Sequence, residues 1–260
     1  SSRILLRHSN EGATYGKASM RVLVTGGAGF IGANLCKHLA RSEGISSVVA
    51  LDDLSSGTED NLDGLDVRFV RGSVLDKDLV LLEVAQADVV VHLAARPSVP
   101  LSIVDPLPTH EVNTTGTLNV LQSAQTSDAH VILASSSSVY GANPKVPKSE
   151  DALPQPMSPY AVSKLAAESY AIAWGYSYGT SVLPFRFFNV YGPLQSAGHA
   201  YAAVIPAFLS AGLGGRPLEV FGDGTQSRDF THVDTVCLVI VDAIKRRVTS
   251  VEPVNLAFGT

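Results

Sequence analysis

Short runs of β-branched and aliphatic residues alternate with longer stretches of helical period from Met20 onward. The runs are almost continuous in Val, Ile and Leu, which is typical of strands buried on both faces of a parallel sheet. Alternating strands and helices predict an α/β fold with a doubly wound parallel sheet. The predicted strands are 21–25, 48–51, 67–70, 89–92, 131–134, 181–188 and 254–257, and the predicted helices are 31–42, 79–85, 113–126, 160–178 and 234–245.

The chain changes character near residue 186, where glycine and proline become frequent and the elements become shorter. Residues 186–229 are therefore predicted to form part of a small C-terminal substrate-binding lobe, and residues 20–185 the main domain, to which residues 230–260 return. The polar segment 1–19 lacks any period and is expected to be a leader or tag outside the fold. Because no covering element follows the last predicted strand, we expect the natural chain to continue beyond Thr260 with the rest of the lobe.

Composition excludes several classes of function. A chain that is 45% hydrophobic and 17% charged can fill a large core. The net charge is −5 and the sequence has no basic block, so it offers no positively charged surface for nucleic acid or an anionic membrane. No apolar run is long enough for a spanning helix. Cys36 and Cys237 are too few for a disulfide framework, which favours a reducing compartment, so we expect a cytoplasmic protein.

A glycine-rich segment follows the first predicted strand and opens the first predicted helix. Gly27, Gly29 and Gly32 form G-x-G-x-x-G, with Gly26 as an additional glycine. These glycines suit a tight turn, close approach of the backbone to a pyrophosphate, and close packing of helix on sheet. Asp52 follows at the end of the second strand, where a carboxylate can bind an adenosine ribose and repel a 2′-phosphate. The pattern predicts a Rossmann-type site for NAD.

A second group of residues suggests proton chemistry. Tyr160 and Lys164 stand four positions apart on a predicted helix, so that both lie on one face. A nearby ammonium stabilises phenolate and brings the tyrosine pKa toward neutral pH. The serine run 135–138 follows a parallel strand, at the edge of the sheet where ligands bind. An ordinary surface pair of tyrosine and lysine, and a serine-rich loop, are the alternatives.

Together these residues resemble the extended short-chain dehydrogenase/reductase family of NAD-dependent epimerases and dehydratases, and within it the UDP-hexose 4-epimerases. The matching segments occur in family order over nearly all of residues 20–260. They are TGGAGFIG (25–32), LDDLSSG (51–57), HLAA (92–95), NTTGT (113–117), SSSSVYG (135–141), SPYAVSK (158–164), RFFNVYGP (186–193) and RDFTHVD (228–234).

The resemblance implies a role for each matched position. Ser136, Tyr160 and Lys164 would be catalytic, and Asn113 would support them through a bend in its helix. The implied substrate is a UDP-sugar, and the implied assembly is a homodimer formed through helices 113–126 and 160–178. The implied cofactor contacts are Gly26, Gly29, Phe30, Ile31, Asp52, Asp53, Ser73, Val74, Leu93, Ala94, Ala95, Asn113, Tyr160 and Lys164, and the implied substrate contacts are Ser136, Ser137, Asn189, Val204, Phe221 and Arg228.

Some positions depart from the family pattern. Ser73 stands where the family usually has an adenine-binding Asp, and Leu194 where an arginine is common. Ser137 and Ser138 occupy places where the 4,6-dehydratases carry Asp and Glu, and the decarboxylating relatives have Glu at the second. His92 and His232 lack metal-ligand spacing, so no metal site is predicted. A decarboxylase, a dehydratase and a non-catalytic NAD-binding scaffold remain the alternatives, and the sugar can be glucose, N-acetylglucosamine or a uronic acid.

Overall fold

The computed structural model describes residues 19–196, 203–220 and 222–259, and its centre is a parallel sheet of seven strands. The strand order is β3-β2-β1-β4-β5-β6-β9. The bounds are β1 Met20–Thr25, β2 Ile45–Asp52, β3 Arg68–Arg71, β4 Val89–His92, β5 His130–Ser136, β6 Val182–Phe187 and β9 Val254–Leu256. The predicted doubly wound Rossmann-type fold is confirmed.

Helices cover both faces of the sheet because successive strand residues point to opposite sides. Val22 and Val24 belong to the core beneath α1 and α8, whereas Leu23 between them belongs to the core beneath α2, α5 and α6. This explains why the strands read as continuous apolar runs. The helices are α1 Phe30–Ala40, α2 Lys77–Val84, α3 Val99–Val104, α4 Pro106–His110, α5 Gly116–Ser127, α6 Pro159–Tyr178, α7 Val204–Leu213 and α8 Val233–Lys245.

Several local features were not predicted from the sequence, helix α7 among them. The short helices α3 and α4 have a proline in the first turn, where its missing N–H costs no hydrogen bond. The predicted helix 113–126 begins as a π-helical turn, Glu111–Thr115, before α5. The strands β7 Asn189–Tyr191 and β8 Phe230–His232 pair in a separate two-stranded sheet.

The sheet topology places one cleft. The chain first runs outward from β1 through β2 to β3, then crosses to β4 on the other side of β1. Ligands bind outside the carboxyl ends of strands at such a reversal. In the described residues, none of the helices combines the length and apolarity needed to cross a bilayer. The predicted leader lies almost wholly outside the described residues, and the proposed division into two domains stays a prediction.

Candidate active site

The glycine-rich turn between β1 and α1 is fixed by close packing. Gly26 has φ +71°, and a Cβ there would lie 2.7 Å from the Ala94 nitrogen. A Cβ on Gly27 would lie 2.6 Å from the Ala50 Cβ, and one on Gly32 would lie 2.0 Å from the Gly26 carbonyl oxygen. Side chains at these positions would push the turn away from the sheet or from the helix. The turn therefore requires glycine for reasons internal to the protein.

Gly29 differs, since a Cβ there would meet only the Gly26 carbonyl oxygen, at 3.3 Å. Gly29 is also the N-cap residue of α1, which has no side-chain cap and no acidic residue in its first turn. Free N–H groups at a helix N-terminus bind anions. The space that a side chain would fill at Gly29 faces the cleft, so the turn fits a pyrophosphate.

Asp52 ends β2 and is buried beside this turn. Its carboxylate accepts hydrogen bonds from the Ala28 nitrogen at 3.0 Å and from the Leu54 nitrogen at 2.8 Å. Burial raises the pKa of Asp52, and these two backbone bonds oppose the rise. The carboxylate thus holds the turn in shape as well as facing the cleft. Asp53, by contrast, is exposed and accepts a hydrogen bond from the Ser55 nitrogen.

The cleft above the strand ends has a volume of about 920 Å³. Its wall includes most of the predicted contacts. Three predicted contacts do not line the cleft, namely Ser73, Asn113 and Ser137. The neighbouring Gly72 lines it instead of Ser73, and Asn113 is buried behind the wall. Phe221 lies outside the described residues. The predicted residues that line the cleft are Gly26, Gly29, Phe30, Ile31, Asp52, Asp53, Val74, Leu93, Ala94, Ala95, Ser136, Tyr160, Lys164, Asn189, Val204 and Arg228.

Part of the wall of the cleft was not predicted from the sequence. Gly57 packs against the turn, with a Cβ there only 2.5 Å from the Ala28 carbonyl oxygen. Tyr191, Gln195 and Ile205 line the opposite end. Gly57 and Tyr191 fall within matched segments, so the segments themselves carried a signal. Gln195 and Ile205 lie outside them, and their presence in the wall depends on how the chain folds after β7.

Ser136 and Tyr160 meet at the carboxyl end of β5. The Ser136 hydroxyl lies near the phenol of Tyr160. Burial raises the pKa of Tyr160, and the nearby Ser136 hydroxyl opposes that rise. The Ser136 oxygen also accepts a hydrogen bond from the Ser138 nitrogen at 3.2 Å, which holds its side chain in place. Tyr160 begins the first turn of α6, where its nitrogen donates to Ser102 Oγ at 3.1 Å. The two hydroxyls are thus fixed by separate elements.

Lys164 follows one turn later on α6 and is buried. Its ammonium donates to the Ala134 carbonyl oxygen at 2.7 Å, and burial lowers its pKa to about 8. The side chain thus still carries its charge at neutral pH. An ammonium has three donors, and this bond uses one of them. The others can serve a ligand in the cleft.

Asn113 lies in the π-helical turn that packs behind α6. Its amide oxygen accepts a bond from the Arg96 nitrogen at 2.7 Å, and its amide nitrogen donates to Ser163 Oγ at 2.9 Å. Ser163 in turn donates to the Tyr160 carbonyl oxygen at 2.8 Å. Asn113 therefore positions the helix that carries Tyr160 and Lys164.

A buried ion pair supports the end of β5. Arg186 on β6 donates to both Glu168 oxygens, at 2.9 and 2.6 Å, and Ser135 Oγ donates to the same carboxylate at 2.6 Å. A carboxylate with two guanidinium bonds and a hydroxyl bond is fully satisfied. Glu168 thus ties α6 to the two neighbouring strands just below Ser136.

The other end of the cleft is lined by polar groups that are half-buried, such as Asn189, or exposed, such as Arg228. The Asn189 amide donates to the Asp229 carbonyl oxygen at 2.9 Å. Arg228 is exposed and donates to the Ser227 carbonyl oxygen, and it forms no salt bridge with a described carboxylate. Asp229 instead accepts bonds from the backbone of residues 258–259, and Asp234 pairs with His38. Neither of these two carboxylates forms an ion pair with Arg228.

A parallel sheet that presents a dinucleotide turn and a Tyr–Lys pair to one cleft defines a class of nicotinamide-dependent enzymes, and this chain has that geometry. Within the class, the chain belongs to the NAD dependent epimerase/dehydratase family, whose sequence pattern matches residues 22–257. NAD is accordingly its cofactor.

Individual relatives agree on the family but differ in reaction. A UDP-glucose 4-epimerase from Mycolicibacterium smegmatis is 41% identical over 234 residues, which cover 87% of this chain and 72% of that protein. A UDP-N-acetyl-alpha-D-glucosaminuronate decarboxylase from Bacillus cytotoxicus is 36% identical over 244 residues, 91% of this chain and 74% of that one. The UDP-glucose 4-epimerase from Thermus thermophilus, solved in complex with NAD, superposes with a TM-score of 0.81 at 35% identity, over 93% of this chain and 78% of that one.

Proposed function

We propose that this protein is a nucleotide-sugar 4-epimerase whose substrate is a UDP-hexose such as UDP-glucose or UDP-galactose. The observation that carries the proposal is the chemistry of the cleft. Ser136, Tyr160 and Lys164 lie together at one end, and the only carboxylates among the described lining residues, Asp52 and Asp53, lie at the end of β2. The reacting end thus has one proton-transfer group and a cation, without an acid.

The cofactor would lie across the strand ends. The 26–32 turn would hold its pyrophosphate, Asp52 its adenosine ribose, and Val74 and the 93–95 segment its apolar surfaces. When bound, NAD takes a hydride from C4 of the sugar and returns it to either face. Lys164 would bind the nicotinamide ribose with the donors that Ala134 leaves free, and its charge would stabilise the phenolate of Tyr160.

The proton of the sugar 4-hydroxyl would pass to Tyr160. A phenolate can act as a base at neutral pH only if its pKa is lowered. Burial raises the pKa of Tyr160 and the Ser136 hydroxyl opposes that rise, so the charge of Lys164 would have to supply the rest of the lowering. Ser136 would also orient the 4-oxygen, because its side chain is held by the Ser138 nitrogen. Returning the proton from Tyr160 after hydride return completes the cycle.

The nucleotide would bind at the opposite end. Arg228 is free of carboxylate partners among the described residues and is suited to a diphosphate, which guanidinium binds with two parallel hydrogen bonds. Asn189 and Val204 lie beside it in the wall. Phe221 would stack on the uracil ring.

Ser137 and Ser138 argue against the other reactions of the family. A dehydratase needs an acid for the leaving hydroxyl and a base for the C5 proton, and serine hydroxyls do neither near neutral pH. Without such groups, a 4-keto sugar in this cleft can only accept hydride again. The expected reaction is inversion at C4 without loss of water or carbon dioxide.

The test is incubation with UDP-glucose, UDP-galactose, UDP-N-acetylglucosamine and UDP-glucuronate, followed by separation of the products. We expect C4 epimers at equilibrium and no net change in NAD redox state. A 4-keto-6-deoxy sugar or a UDP-pentose as the main product would falsify the proposal.

Two substitutions sharpen that test. Tyr160→Phe and Ser136→Ala should each lower turnover by about 100-fold or more, as loss of a positioned proton-transfer group does. Tyr176→Phe is the matched control, because Tyr176 lies on the same helix with 72% of its surface exposed. It should leave turnover unchanged.

We also propose that the protein forms a homodimer. Apolar side chains are exposed on α6 and on the adjoining α3 and α4, among them Val162, Ile103, Val104 and Leu107. Because α3 and α4 pack against α6, these exposed apolar side chains would suit an interface. Sedimentation velocity should give a dimer mass, and Val162→Glu should shift the population to monomer.

A further inference from the structure

A continuous chain of buried hydrogen bonds links the glycine-rich turn 26–32 (the cofactor turn) to α6, the helix that carries Tyr160 and Lys164. His92 is at the centre of this chain. His92 ends β4 and is 2% exposed. Its Nδ1 lies 2.7 Å from Thr25 Oγ1, directly before the glycine-rich turn. Its Nε2 lies 3.0 Å from Thr117 Oγ1 on α5.

Both ends of this chain are backbone groups with a fixed role. The Ala94 nitrogen donates to Thr25 Oγ1 at 3.3 Å, and the Asn113 carbonyl oxygen accepts from Thr117 Oγ1 at 2.6 Å. A hydroxyl has one proton to donate. Thr117 gives its proton to Asn113, so it must accept from His92.

The remaining protons follow from this count. His92 donates through Nε2, so a neutral ring must accept at Nδ1, and Thr25 donates to it. Every donor and acceptor from Ala94 to Asn113 is then used once. A protonated ring would place two donors against Thr25 and Thr117, and the opposite tautomer would reverse both contacts. One tautomer alone satisfies the chain.

The groups at its two ends shape the active site. Ala94 packs against the turn, since a Cβ on Gly26 would touch its nitrogen. Asn113 holds Ser163, which lies on α6 between Tyr160 and Lys164. Lys164 also lies close enough for its charge to disfavour protonation of His92, and burial with this charge lowers the pKa of His92 to about 3.

We propose that His92, as the neutral tautomer protonated at Nε2, is a positioning residue. It holds the 26–32 turn and helix α6 in fixed positions relative to each other. It touches neither ligand directly, because it does not line the cleft. Its effect on NAD passes through Thr25 and Ala94, and its effect on Tyr160 passes through Thr117 and Asn113. The two effects should therefore be separable.

The first experiment measures the tautomer itself. In ¹⁵N-histidine NMR spectra of the NAD-bound protein, the His92 signals, assigned by their absence from a His92 variant, should show a neutral ring protonated at Nε2 from pH 8 to pH 5. Protonation at Nδ1, or an imidazolium at pH 6, would overturn the proposal. This measurement requires no activity and no folded variant beyond the one used for assignment.

The second experiment separates the two ends with different amides. His92→Gln places an amide nitrogen near the Nε2 position and keeps the bond to Thr117, whereas His92→Asn places an amide oxygen near Nδ1 and keeps the bond to Thr25. Losing one such buried bond costs about 1.4 kcal/mol, or tenfold. We expect NAD affinity to fall about tenfold in His92→Gln, and turnover to fall about tenfold in His92→Asn with NAD affinity kept.

Matched variants complete the design. Thr117→Val should behave like His92→Asn, and Thr25→Val like His92→Gln. Equal losses of NAD affinity and turnover in both histidine variants would mean that His92 only fills space, and the proposal would be wrong. The turnover arm rests on the proposed epimerase function, whereas NAD affinity and the NMR signature do not, so the two failures are distinguishable.

Discussion

The two ends of the cleft are built in different ways. The cofactor half consists of the 26–32 turn, the 52–58 loop and the 93–95 segment, and close backbone contacts fix its shape at Gly26, Gly27, Gly32 and Gly57. The substrate half consists of residues 189–196, 203–205 and 228, which are half-buried or exposed, with none fully buried. Selection for NAD is thus built into the packing of the fold. Selection for the sugar nucleotide depends on side chains that can change without disturbing the core.

The largest effect that would test this contrast is expected from Gly32→Ala. The new methyl group would lie 2.0 Å from the Gly26 carbonyl oxygen, so the turn or α1 must move. Losing one or two hydrogen bonds from the turn to the charged pyrophosphate costs about 1.5–3 kcal/mol each, so NAD affinity measured by calorimetry should fall about 100-fold.

Gly212→Ala is the matched control for that variant. Gly212 lies within α7, with nothing within 4 Å of a Cβ. Alanine should there leave NAD affinity unchanged and raise the melting temperature slightly through its helix propensity. Equal loss of NAD affinity in both variants would break the distinction between the two halves.

Arg228→Ala tests the substrate half. Hydrogen bonds to charged groups contribute about 1.5–3 kcal/mol, so the KM for the UDP-sugar should rise about 10- to 100-fold. NAD affinity and the melting temperature should stay unchanged, because Arg228 is exposed and carries no ion pair with a described residue.

Arg216→Ala provides the control for the loss of an arginine. Arg216 is exposed in the same region and bonds the Ser210 hydroxyl. It lies outside the wall of the cleft, so the KM should not change. A fall in melting temperature for Arg228→Ala alone would show that Arg228 supports the fold instead.

Acid should destabilise the folded protein through two buried histidines of the sheet, His130 at the start of β5 and His92 at the end of β4. Burial, reinforced by Arg247, lowers the pKa of His130 to about 4, and that of His92 is lowered to about 3. Below pH 6.5 these two histidines are protonated in the unfolded chain but stay neutral in the folded chain. The stability that is present above pH 6.5 is therefore lost as the pH falls toward their folded-state pKa values, about 4 for His130 and about 3 for His92. Each histidine contributes a slope of about 1.4 kcal/mol per pH unit.

Urea denaturation between pH 6.5 and pH 5 measures this slope. His130→Leu removes one of the two titrating rings, and neither nitrogen of that ring has a hydrogen-bond partner. The slope should decrease by about 1.4 kcal/mol per pH unit. An unchanged slope would mean that His130 is already protonated in the folded state.

The smallest effect is expected from Asp52→Asn. An amide keeps one acceptor for the Ala28 or Leu54 nitrogen but loses the charge that favours a ribose hydroxyl and repels a phosphate. NAD affinity should fall about tenfold, near 1.4 kcal/mol, and discrimination against NADP should relax. Asp53→Asn should change neither property, since Asp53 is exposed and bonds within its own turn. Tighter binding of NADP than NAD by the unmodified protein would contradict the role of Asp52.

The sequence identified the cofactor half well because its requirements are local. A strand, four glycines and an acidic residue at fixed spacing describe a structure that forms within about 30 residues, as a βαβ unit does. All seven predicted strands fall within three residues of their observed bounds, and the Tyr160–Lys164 pair falls on one helix. Apolar runs determine such strands whatever surrounds them.

Tertiary structure decided what depends on distant partners. The π-helical turn at Glu111–Thr115 exists where Asn113 bonds Arg96 and Ser163, residues that are far from it in sequence. The buried hydrogen bonds through His92 likewise join three separate elements, β1, β4 and α5. No local sequence pattern predicts them. Propensity and periodicity report only short-range preferences, whereas a buried hydrogen bond is specified by whichever group lies opposite once the sheet has formed. The sequence by itself therefore determined the fold class and the cofactor turn and indicated the residues proposed to react, while only the folded protein decided how those residues are held.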